Sequence, residues 1–109
     1  MSARFLILLD ALEAELKLQS LWSHEAPSPE QLASQLPFAV DSLAFHQWLQ
    51  FIYLPRLRDL LAQGARLPSK VAVYPMASEV YKHELVQRGA LLECLARLDE
   101  AMTGEAVTR

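Results

Sequence analysis

Residues 36–61 read LPFAVDSLAFHQWLQFIYLPRLRDLL, an apolar run at helical spacing with a proline, Pro55, inside it. Phe45, Trp48, Leu49 and Ile52 fall on one helical face, and Leu57, Leu60 and Leu61 continue the stripe past the proline. Proline has no N–H to give the carbonyl four residues back, here that of Phe51, and its ring crowds that carbonyl. The chain must therefore build a long central helix that is irregular at Pro55.

The flanking segments carry the same helical period. Ser2 is an N-cap residue, and Phe5, Leu9, Leu12 and Leu16 form a stripe that Leu8, Leu21 and Trp22 extend. Glu13 and Lys17, four apart, make a surface pair on the opposite side. Ser28-Pro29-Glu30 is a helix start that Pro37 stops within one or two turns. Asp41, with Ser42 as its rival, caps the central helix, and Gly64 ends it. Residues 65–74 form an extended connection, since SKVAVY between Pro68 and Pro75 has no neighbouring strand to pair with. Pro75 then opens a helix running to about Lys82. Residues 83–89 are either a break or a continuation. Leu91, Leu95, Leu98 and Met102 define the last helix, which Gly104 closes. The expectation is one all-α domain over residues 1–109: a compact bundle or array of four to five helices around a proline-kinked central helix.

Composition narrows the function. The chain is 52% hydrophobic and carries a net charge of -3, which excludes a disordered chain and argues against bulk phosphate binding. Residues 55–74 form a basic island, with Arg56, Arg58, Arg66 and Lys70 against Asp59 alone. The single cysteine, Cys94, permits no internal disulfide and fits a reducing, cytoplasmic setting. The apolar FLILL near the start is too short for a signal core, and no run reaches the length of a membrane span.

Catalytic and metal chemistry find little support. His24, His46 and His83 are scattered, and neither HExxH nor CxxC occurs. Cys94 lies among Leu91, Leu92, Leu95 and Leu98, which suits an inert buried thiol. With only 3 glycines there is no phosphate-cradling loop. Acidic pairs such as Asp99-Glu100 read as solvated helix faces. The expectation is therefore no catalytic residue, no cofactor and no metal. The candidate interaction surface is Gln50, Arg56, Arg58, Arg66 and Lys70, with Gln50 and Arg56 flanking the kink and its freed carbonyls; a cation–π pair of Arg56 with Trp48 is an open alternative that the sequence does not decide.

Pro37-Phe38, Asp41, Trp48-Leu49-Gln50, Pro55-Arg56, Leu60-Leu61 and Leu67-Pro68 together resemble the pattern of the YqcC family of small bacterial proteins. Gln47 stands where that pattern carries glutamate before the tryptophan, and Leu57 follows Arg56; both keep size or polarity. The resemblance covers nearly the whole chain, with Pro37, Phe38, Asp41, Trp48, Leu49, Pro55 and Pro68 as its structural signature. It implies a compact helical fold and no agreed activity. Family genes often stand beside that of a tRNA pseudouridine synthase, and some members carry that enzyme's name. Such an enzyme needs a catalytic aspartate on a much larger α/β scaffold, so the name does not transfer. The resemblance points to a non-enzymatic interaction module accessory to RNA modification, binding a protein partner, with direct RNA contact a secondary idea. The alternatives are self-association through the surplus apolar residues Leu6, Ile7 and Leu18, or small-ligand binding beneath the kinked helix.

Overall fold

The computed structural model describes residues 2–36, 38 and 43–109, and every regular element among them is helical. α1 spans Ser2–Leu18, α2 Pro29–Leu32, α3 Phe45–Trp48, α4 Leu54–Ala62, α5 Val73–Val80 and α6 Leu85–Thr103. A single π-helical turn, Leu49–Tyr53, joins α3 to α4 without interruption. None of these helices is long and apolar enough to cross a membrane. The calls on Pro37, Asp41 and Ser42 fall outside the described residues.

α1 and α6 run antiparallel and form the base of the core. Leu9, Leu12 and Leu16 of α1 and Leu91, Leu95 and Leu98 of α6 are completely buried. Their three- and four-residue spacing puts each set on one stripe, so the two stripes face each other. Truncating one such leucine to alanine costs about 2–5 kcal/mol. α4 lies on the other flank of α1, and α5 covers α6 with Val73 and Ala77. α1 ends at Ser20, in the left-handed region at φ 59°, with the Leu21 amide donating back to the Leu16 carbonyl at 2.8 Å. Gly64 closes α4 in the same way, at φ 67°, with Ala65 donating to Leu60.

The irregularity expected at Pro55 takes the form of the π turn placed just ahead of it. The Leu54 amide reaches back five residues to the Leu49 carbonyl. Widening the turn gives the proline ring room, and Pro55 then sits in the first turn of α4, where its missing donor is least felt. At the front of this helix the Gln47 side chain accepts from the Ala44 amide at 3.1 Å. This is the third-residue half of a capping box, a task that glutamine and glutamate perform equally. The family's glutamate therefore needs no charge role here.

The connection 65–72 is irregular, with Leu67 and Val71 packed on the core. α5 takes Pro75 into its first turn but begins at Val73, because Asp99 caps the Val73 and Tyr74 amides; the extended connection expected over 65–74 therefore ends at Ala72. At residues 81–84 the chain turns and breaks, and Gly89 lies inside α6.

Candidate functional site

Asp99 is the residue that sequence reasoning misplaced. Taken as a solvated carboxylate, it is buried at 2% exposure on the inner face of α6. Its Oδ1 accepts from the Val73 amide at 3.2 Å and its Oδ2 from the Tyr74 amide at 2.9 Å. Ala72, which precedes α5, has no side chain to cap the helix, so α6 supplies the cap. Burial pushes the Asp99 carboxyl above its ordinary range, against the pull of the two amide donors. The signal was available, since Asp99 continues the spacing of Leu92 and Leu95 toward Met102.

The candidate surface residues separate. Gln50 is buried at 7% exposure and is not a surface residue. Its Oε1 accepts from the Ser23 amide at 2.7 Å and its Nε2 donates to the Ser23 carbonyl at 2.9 Å. The amide therefore ties the loop after α1 to the π turn, because a buried primary amide must find both a donor and an acceptor. Arg58 also turns inward, toward α1. It donates to Asp10 at 3.0 Å and to Glu13 at 2.9 Å. Lys17 first, and Arg58 with it, hold the Glu13 carboxyl below its usual range.

Arg56, Arg66 and Lys70 are exposed, and among the described residues no ion pair neutralises any of them. By contrast Lys17, Arg58, Lys82, Arg88, Arg97 and Arg109 each hold a carboxylate within 4 Å. Arg56 and Lys70 line a half-open groove of about 560 Å³ between the central helix, the 65–72 connection and the segment that carries Leu32, Leu36 and Phe38. Trp48, Ile52, Tyr53 and Leu57 line one side, Pro68, Val71 and Val73 the other, and Met102 of α6 contributes from beneath. No acidic side chain is among the described lining residues. Arg66 lies on a second groove of about 470 Å³ beside Leu61, Leu67 and Phe5.

Trp48 is half-buried in an aromatic cluster. It stacks on Tyr53 at 5.1 Å and on Phe45 at 6.0 Å, and meets the Phe38 ring edge-on at 4.8 Å. The cation–π pairs form elsewhere, Lys17 over Trp22 at 4.9 Å and Arg88 over Tyr81 at 5.6 Å. The Tyr53 side chain is 6% exposed and its hydroxyl has no hydrogen-bond partner. Burial drives its phenol far above the ordinary value, and the Asp99 charge adds to the effect. Leu49 is fully buried, and Pro68 is exposed on the groove edge.

Cys94 is half-buried, and burial, then the Glu15 charge, push its thiol up, the reverse of an activated thiolate. Among the described residues no three His, Cys, Asp or Glu side chains come together as metal ligands.

Residues 4–101 match the family described as "tRNA pseudouridine synthase C". The chain is 35% identical over 98 residues to "Uncharacterized protein YqcC" of Escherichia coli, covering 90% of each. The solution NMR structure of YqcC from E. coli superposes with a TM-score of 0.84 at 33% identity, over 98% of this chain and 92% of that one. A chain named tRNA pseudouridine synthase C from Pectobacterium carotovorum is 33% identical over 57 residues, which is 52% of this chain but 15% of that longer one. The synthase name is thus carried by the family description and by a much longer protein of which this chain matches a small part, while the relative matched over 90% of its length is uncharacterised. Sequence, signature and superposed fold agree, and the chain belongs to the YqcC family of small helical bacterial proteins.

Proposed function

We propose that the chain is a non-catalytic interaction module that docks on an acidic face of an RNA-modifying protein through the edge formed by Arg56, Lys70 and Arg66. One observation carries this reading: the cations without a carboxylate gather along the 65–72 connection, whereas cations elsewhere on the surface are mostly paired. Uncompensated charge of one sign steers an oppositely charged partner. The synthase partner is suggested by the longer Pectobacterium chain, in which a stretch similar to this one lies within a protein of that name. A cytoplasmic location accompanies this reading. The non-catalytic part is supported by the titratable groups, since Asp99 is committed to backbone amides and Cys94 is shifted away from reactivity.

The test is titration of the purified chain against tRNA pseudouridine synthase C from the same cells, by calorimetry, with and without tRNA. Arg56→Glu and Arg66→Glu are expected to lower affinity at least about tenfold each. Arg58→Gln, on the neutralised side, leaves it unchanged. Folded charge-reversal variants that bind like the parent would eliminate this surface, and absence of any complex would eliminate the partner. Self-association is the second reading, favoured by the exposure of Ile7 at 68% and Leu18 at 76% on α1. A dimer in light scattering at high micromolar concentration, lost in Ile7→Lys, would promote it.

A further inference from the structure

We propose that the groove between the central helix and the 65–72 connection is a binding site for an amphiphilic organic anion: an apolar chain of about ten carbons ending in one carboxylate or phosphate. The site shares Arg56 and Lys70 with the docking edge but does not rest on that reading.

Size and lining agree with a small-molecule site. Ligand pockets run from about 300 to 1,000 Å³ and combine apolar walls with a few placed polar groups. This groove holds about 560 Å³, with Ile52, Leu57, Val71 and Met102 among its walls. Its lining includes two cations carried by different elements, Arg56 of α4 and Lys70 of the connection. Neither has an ion-pair partner among the described residues, and two like charges beside a low-dielectric wall gain from one anion placed between them.

Tyr53 also lines the groove; its side chain is more than nine-tenths buried and its hydroxyl is enclosed within the protein, so it adds to the apolar wall and not to the polar groups that meet the head group.

The same geometry disfavours a nucleotide. Trp48 is already stacked on Phe45 and Tyr53, so it does not offer the free ring on which bases stack. The apolar walls match a hydrocarbon body instead.

The probes are decanoate, decyl phosphate, decanol, acetate and adenosine monophosphate, each titrated into the ¹⁵N-labelled chain and followed by NMR. Decanoate or decyl phosphate is expected to give saturable shifts centred on Ile52, Tyr53, Arg56 and Val71; the tighter of the two identifies the head group. Decanol should bind about tenfold more weakly, and acetate should leave the spectrum unchanged. The double variant Arg56→Gln/Lys70→Gln should bring decanoate down to the decanol value. Ala72→Trp, at an exposed lining position, should block every probe while the spectrum stays dispersed. Arg66→Glu should not change decanoate binding, which separates a failure of this site from a failure of docking. Equal affinity for decanol and decanoate, shifts centred elsewhere, or preference for the nucleotide would each overturn the assignment.

Discussion

Arg56 and Arg58 are two residues apart on α4 and share a chemistry, yet they lie in opposite settings. Arg58 faces α1 and holds Asp10 and Glu13. Arg56 faces the groove, where no described acid meets it. Two positions on a helix differ by about 200° of rotation, so neighbours in sequence look toward different elements. The basic island is therefore two structures: a neutralised seam between α1 and α4, and an open edge along the 65–72 connection. A local count of charges merges them, and only the acids on distant elements separate them.

The largest loss is expected at Asp99, whose carboxylate belongs to neither side of this comparison and caps α5. Asp99→Ala leaves two amides of α5 without acceptors and is expected to cost about 3 kcal/mol in urea unfolding. If α5 keeps its stability in that variant, the capping account is wrong. Gln50→Leu removes both bonds to Ser23 and should cost about 2 kcal/mol, softened by water reaching the half-buried loop. Arg58→Gln opens the closed seam and should cost less than about 1 kcal/mol, because both partners remain partly solvated. Arg56→Gln should fall within about 0.5 kcal/mol of the parent, as expected of an unpaired surface cation. A larger loss for Arg56 than for Arg58 would reverse the comparison.

Acid titration sharpens it further, since the two regions carry opposite signs. Glu13 is held below its ordinary 4.5, so its contribution is present above that pH and is lost as pH falls through the lowered value. The deficit of Arg58→Gln should therefore shrink on acidification. Asp99 is raised above its ordinary 3.8, so the advantage of its protonated form is complete below that pH and is lost as pH rises through the folded value. The stability of the parent relative to Asp99→Asn should accordingly decline as pH rises from 3.8. Parallel pH slopes for the two variants would contradict the assignment of either carboxylate.

Legibility in the sequence followed the range of the interaction. The helices were readable because their cause is local: Leu9, Leu12 and Leu16, or Leu91, Leu95 and Leu98, declare a buried stripe by spacing alone. Gly64 and Gly104 announced their helix ends for the same reason. Pro55 announced an irregularity but not its kind, because a kink and a π turn answer the same missing donor. Gln50 and Asp99 were misread because their partners, Ser23 and the Val73 and Tyr74 amides, lie 25 or more residues away. A polar side chain at the edge of an apolar stripe has no local mark that tells a clamp from a surface residue. Arg66 and Lys70 were seen as a charge cluster, but the groove that gives Lys70 a context exists only once the connection folds over the central helix.

The cap that α6 lends to α5 has a consequence for the order of folding. An eight-residue helix does not hold together alone in water, and this one has no capping side chain of its own. Its first turn forms only when Asp99 is already positioned, which requires α6 to be helical and docked. α5 is thus a late joiner whose amides report on its neighbour. In native-state hydrogen exchange, the protection of Val73 and Tyr74 should rise and fall with that of α6, and not with the turns that precede them.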